Sequence, residues 1–222
     1  QKLFNQLPLV ETVLCALDHA ERRRDRPELR MFRALNRCAD IQSACCCLAA
    51  SLIEIFNWEH VSLFRIDSAR DAIVRVASAR SGGDGLAIDT GTVWGDYSQG
   101  IGQGILGRVV ASVLPQNIPD VTLNTDYLKS PDGGPIRSEL AMPIVFSEGE
   151  RVRFIINVDD PRVNAFSREH VRQLKDIADE VAGAMQRISD LTLLAECVDN
   201  VSDPIIATDA RLRIRRVNRA AE

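Results

Sequence analysis

The residues best suited by type and spacing to do chemistry are a glycine cluster, six cysteines and three histidines. Gly102-Gln103-Gly104-Ile105-Leu106-Gly107 spells G-x-G-x-x-G. That turn cradles a dinucleotide pyrophosphate when it joins a buried parallel strand to a helix. The residues before it, Trp94-Gly95-Asp96-Tyr97-Ser98-Gln99, make no such strand. The glycines instead let the backbone turn into a short helix over 105–112. The cysteines are Cys15, Cys38, Cys45, Cys46, Cys47 and Cys197, three of them consecutive. That spacing suits neither a zinc site nor a disulfide framework. Successive helical residues point about 100° apart, so the three cannot face one partner. They read as small apolar filler in a reducing compartment. His19, His60 and His170 sit among charged or helix-end residues and read as solvated side chains. Local context suggests no Ser-His or Cys-His pair.

These groups must be positioned by alternating helical and strand segments. Leu9, Val13, Leu14 and Leu17 have helical spacing, and Arg22-Arg23-Arg24-Asp25-Arg26-Pro27 interrupts it. Residues 1–27 are therefore an N-terminal helix and linker. A longer helix is predicted over 28–56, with Leu29, Phe32, Leu35, Ala39, Ala49, Leu52 and Phe56 near one face. Residues 61–66 and 73–77 are rich in sheet formers around a polar turn. A short strand over 116–121 carries Pro115 and Pro119, which argue for a sheet edge. Residues 140–146 and 152–158 read as a hairpin. Ser167 caps a helix in which Ile177, Val181, Ala184, Ile188, Leu191, Ala195 and Val198 recur at spacings of three and four. That recurrence is the seam of a parallel coiled coil over 168–200. Helices flanking antiparallel strands make the class α+β.

Composition narrows the function. A net charge of −4 and a pI near 5.5 give no electrostatic reason for nucleic-acid or anionic-membrane binding. No apolar run approaches a membrane span, and the N-terminus does not read as a signal peptide. The chain does not begin with Met and reads as a cytoplasmic piece of a longer protein.

Several motifs recur in a set order. They are Gly100-Ile101-Gly102-Gln103-Gly104-Ile105-Leu106-Gly107, Ile118-Pro119-Asp120-Val121, Arg137-Ser138-Glu139-Leu140-Ala141-Met142-Pro143-Ile144, Asn157-Val158-Asp159-Asp160-Pro161 and Ala165-Phe166-Ser167. Together they resemble the GAF family of small-molecule sensor domains over residues 28–190. The tail, with Asp203-Pro204-Ile205-Ile206-Ala207-Thr208-Asp209 and Val217-Asn218-Arg219-Ala220-Ala221, resembles the start of a PAS domain, truncated, over 198–222. The resemblance implies a GAF-like antiparallel sheet flanked by helices and a long C-terminal signalling helix.

The resemblance also sorts the possible activities. One GAF branch reduces free methionine sulfoxide with a cysteine shortly before the Ser-Glu of this motif. Here that region is Ser130-Pro131-Asp132-Gly133-Gly134, and no cysteine lies between Cys47 and Cys197. The same gap argues against a covalently attached bilin. Haem would need an axial histidine in the pocket, and none of the three reads as placed there. The signature of cyclic-nucleotide-binding GAF domains is broken after Asn157 and Phe166. What remains resembles the reductase branch's substrate site without its chemistry. There, acidic groups hold the ligand's ammonium, and the matching positions are Glu139, Asn157 and Asp159. Residues 157 and 159 share one face of a strand, so two carboxylates beside an amide suit a small cation or an amine. The bland alternative pairs Glu139 with Arg137 or a turn amide and uses Asp159 to cap the Asp160-Pro161 turn. Trp94, Tyr97 and Tyr127 are candidates for a pocket wall or lid.

The expected function is a ligand-sensing, non-catalytic regulatory module of a bacterial-type signalling protein. The output outside the chain is expected to be a histidine kinase. An enhancer-binding activator or a cyclic-dinucleotide enzyme is the alternative, as is a purely structural dimerisation module. The expected partners are an unidentified small molecule and a second copy in a parallel homodimer.

Overall fold

The computed structural model describes residues 26–82, 85–89, 97–129, 134–147 and 151–221. Helix α1 (Pro27–Leu35) and helix α2 (Ile41–Phe56) precede strands β1 (His60–Asp67), β2 (Ala72–Gly82), β3 (Gly85–Asp89) and β4 (Ser98–Gly100). Helix α3 (Gly104–Ser112), strand β5 (Gln116–Ile118) and a 3-10 turn (Val121–Leu123) follow. Strands β6 (Ser138–Ile144) and β7 (Phe154–Asp160) lead into helix α4 (Arg168–Asp199) and a terminal pair, β8 (Ile206–Thr208) and β9 (Ile214–Val217). The main sheet runs β3-β2-β1-β7-β6-β5, with β4 also paired to β2. Every pairing is antiparallel, so the architecture is α+β as expected.

Alternation along the strands sorts side chains onto two faces. Val61 and Leu63 of β1, Leu140, Met142 and Ile144 of β6, and Ile156 and Val158 of β7 join the helices α1, α2 and α4 in one core. The other face carries Phe64, Ala141 and Ile155, which pack against Ile105, Leu106 and Val109 of α3. A register shift between Leu63 and Phe64 leaves Val76 as an extra residue in β2. Such a bulge restores Arg75 to the α3 face.

The single helix expected over 28–56 is two helices. It breaks at Asn36–Asp40, because Asp40 is a better cap than helix residue: its carboxylate accepts the Ser43 backbone N–H at 2.7 Å. Pro115 and Pro119 do flank the edge strand, but β5 stops at Ile118 and the chain tightens into the 3-10 turn.

The seam proposed along α4 divides in two. Ile177, Val181 and Ile188 are buried within the domain's own core, and exposure begins at Leu191. Ile188, read from the sequence as part of a seam between two copies, is 3% exposed within this chain's own core. Leu191, Leu193 and Leu194 are all more than half exposed. Among the described residues no helix is long and apolar enough to cross a membrane.

Candidate functional site

The register of three strands builds a polar floor on the α3 face. His60 pairs with Asp159, Ser62 with Asn157, and Glu139 with Asp159. Paired residues in an antiparallel ladder point to the same side. Glu139, Asn157 and Asp159 therefore converge, each 5–6% exposed, on a cavity of about 40 Å³. Ile105 and Leu106 of α3, Leu128 and Ile136 form its apolar roof. A second cleft, of about 150 Å³, shares His60, Ile136 and Asp159 with the first and so adjoins it.

The glycine cluster places the roof. Gly104 has φ +68°, in the left-handed region, and a Cβ there would meet Leu128 at 2.9 Å. A Cβ on Gly107 would meet the backbone carbon of Gly102 at 2.7 Å. These glycines thus serve a tight turn and close packing. The strand before them, β4, is three residues long and antiparallel to β2, so no dinucleotide fold surrounds them.

Polar partners on the floor are unevenly shared. Asp159 accepts from Asn157 Nδ2 at 3.1 Å and faces His60 Nδ1 at 3.2 Å. His60 Nε2 lies 2.7 Å from Ser78 Oγ, which lies 2.9 Å from Ser62 Oγ. With its amide nitrogen committed to Asp159, Asn157 turns its Oδ1 toward the cavity, buried and without a hydrogen-bond partner. Glu139 makes no hydrogen bond or ion pair among the described residues. Burial first, and then the neighbouring Asp159 carboxylate, push its carboxyl well above the ordinary glutamate range.

Both bland readings of the acids are overturned. Arg137 pairs with Asp120, Nη2 to Oδ2 at 2.7 Å, rather than with Glu139. The turn at Pro161 is held by Asp160, whose carboxylate accepts the Arg162 backbone N–H at 2.8 Å and the Arg162 guanidinium. Tyr97 and Tyr127 line the cavity; the Tyr97 hydroxyl donates to Gln99 at 2.8 Å and its ring stands edge-on to Phe64. Trp94 lies outside the described residues.

His60 corrects the reading of histidines as solvated. It is 6% exposed and lines both cavities. The alternation His60, Ser62, Phe64 was visible, but only the pairing of β1 with β7 shows that it faces Asp159. The order Asp159, His60, Ser78 is that of a nucleophilic triad. Ser78, however, is 1% exposed and does not line the cavity, so its hydroxyl orients the ring rather than meeting a ligand. Both His60 nitrogens are thus engaged by side chains of the floor. Of the described cysteines none lines the cavity; Cys45 lies on the buried face of α2, where burial pushes its thiol up.

The comparisons agree with this fold. The sequence profile described as "GAF domain" matches residues 39–186. The GAF domain of a phosphoenolpyruvate-protein phosphotransferase from Coxiella burnetii superposes with a TM-score of 0.63 at 18% identity, over 75% of this chain and 95% of that one. Free methionine-R-sulfoxide reductase from Neisseria meningitidis, in complex with its substrate, gives 0.56 at 18% identity, over 76% and 89%. A putative GAF sensor protein from Burkholderia vietnamiensis gives 0.58 at 13%, over 74% and 94%. No match is found among curated protein sequences. With two acids and an amide gathered under a glycine turn, and the profile spanning both, this chain belongs to the GAF domain family.

Proposed function

We propose that the chain is the ligand-sensing regulatory and dimerisation module of a cytoplasmic signal transduction protein whose output is a sensor histidine kinase. The observation that carries this reading is Asn157 Oδ1, buried without a hydrogen-bond partner, beside the buried Glu139 carboxyl in one cavity. A buried acceptor left without a donor costs about 1–3 kcal/mol, so a ligand that supplies donors is bound strongly there. An amine or other small cation supplies N–H donors and offsets the acidic charge together. The reading is regulatory because the cysteine that the reductase branch carries shortly before the Ser-Glu motif has no counterpart at 130–134.

Ligand contacts with Ile105 and Leu106 of α3, Leu128 and Ile136 tie the cavity's roof to the sheet. The opposite sheet face holds α2 and α4, so a change in strand packing reaches the helix that leaves the domain. The exposed Leu191, Leu193 and Leu194 support parallel pairing of α4 with a second copy. The β8–β9 pair, with Asn218 buried against the carbonyls of Val198, Val201 and Asp203, supports reading the tail as the opening of a PAS domain.

A thermal-shift screen of amine-bearing metabolites tests the sensor reading. A ligand at 100 times its Kd adds about 2.7 kcal/mol of stability. Shifts abolished by Glu139→Ala support a sensor. A melting temperature that no compound moves, in a protein that stays dimeric, makes the chain a structural dimerisation module instead.

A further inference from the structure

Glu139 and Asp159 face each other across β6 and β7, yet their surroundings differ in kind. Asp159 takes two side-chain partners, His60 and Asn157, both suited to a carboxylate. Glu139 has neither hydrogen bond nor ion pair among the described residues, and it is as deeply buried. The other titratable or charged groups facing this cavity are His60 from β1, Arg75 from β2, and Tyr97 and Tyr127 from the connecting segments; α3 contributes only Ile105 and Leu106. Two like charges side by side under an apolar roof are strongly disfavoured, so one of the two acids keeps its proton. The unequal partners decide which: the proton resides on Glu139, where burial raises the carboxyl's pKa.

We propose, building on the amine-sensor reading above, that this cavity takes its ligand as a cation in exchange for one proton. Glu139 carries that proton before the ligand arrives. When a primary ammonium enters, its N–H groups donate to Glu139, Asp159 and Asn157 Oδ1. The O–H bond of the Glu139 carboxyl breaks, the carboxylate keeps the electron pair, and the proton leaves to solvent. Charge in the cavity is unchanged by the exchange, which is why a closed, apolar-roofed site accepts it. The inner cavity, at about 40 Å³, admits the ammonium head alone. The rest of the molecule passes Ile136 into the adjoining cleft of about 150 Å³, so the ligand class is a primary amine on a slender chain.

The test uses n-butylammonium chloride, with tetramethylammonium chloride as a cation lacking N–H donors. Titration calorimetry between about pH 5 and pH 8, in two buffers of different ionisation heat, counts the protons released. The expected result is close to one proton per butylammonium at the acid end. Affinity should rise about tenfold per pH unit there and level off as pH passes the Glu139 pKa. Glu139→Gln should bind more weakly, release no proton and lose the pH slope; tetramethylammonium should bind neither form. Butylammonium binding with flat affinity and no proton release overturns the exchange and leaves the amine reading standing. A slope that survives in Glu139→Gln places the proton on another group of the cavity and also overturns it. Absence of alkylammonium binding at every pH overturns the amine reading and the exchange together. If Glu139→Gln fails to fold, the proton count on the unmodified protein decides alone.

Discussion

Glu139 stands directly across the β6–β7 ladder from Asp159, and the two carboxyl groups are buried on the same face of the sheet. The pair sets a stability signature of definite sign. Glu139 has a folded-state pKa above its unfolded value of about 4.5. Between those two values the folded chain binds more protons than the unfolded one, so stability falls as pH rises through the window. Relative to Glu139→Gln, the unmodified protein should lose up to about 1.4 kcal/mol per pH unit there, and nothing more above it. Urea denaturation of both proteins across the range checks this. A difference that stays constant with pH means Glu139 titrates as an ordinary glutamate.

His60 bridges Asp159 and Ser78, so its removal takes one of two side-chain partners from each of these buried groups. His60→Ala should cost about 1–3 kcal/mol. Ser78→Ala should cost about 1 kcal/mol, since Ser62 remains near His60 Nε2 at 3.3 Å. Equal costs for the two would show that the ring is held by packing rather than by its partners.

Helix α3 ends at Val113 with φ +57°, a left-handed conformation that a β-branched residue adopts only under strain. The side chain is 40% exposed, so little packing is lost with it. Val113→Gly should therefore raise stability by about 0.5–1 kcal/mol despite glycine's greater freedom when unfolded. A lowered melting temperature would mean the valine packs more than its exposure indicates.

The two halves of α4 should respond oppositely to charge. Leu191→Lys combined with Leu194→Lys should give a folded monomer by light scattering, because both side chains are exposed. Ile188→Lys should unfold the domain, placing a cation in the core. A double variant that stays dimeric would move the interface away from this stretch of the helix.

Much of this architecture was legible in residue order. Strand alternation and the flanking prolines placed the sheet and its edge, and the motif order named the family. What escaped shared one cause: the information lay in pairing between distant segments. His60 looks like any histidine at the end of a loop until β1 is set against β7. Ile188 continues a heptad rhythm that does not say where the sheet's cover ends. The break between α1 and α2 was different, since Asp40 three residues before Ser43 is a local helix-start signal. The run of apolar residues on both sides outweighed it. Within the site, Glu139, Asn157 and Asp159 were readable, whereas their inequality depends on which of them His60 reaches.

Helix α4 runs unbroken for 32 residues, and among the described residues its last buried core side chain is Ile188. Thr192 Oγ1 bonds back to the Ile188 carbonyl at 2.9 Å, at the point where the domain lets go. Beyond that fulcrum roughly 16 Å of rigid rod projects to Asp199 at about 1.5 Å per residue. A tilt of about 10° at the fulcrum would swing the tip by roughly 3 Å, on the order of half a helical turn. The protruding arm thus carries any re-tilting of the helix on the sheet out to whatever the rod's end holds.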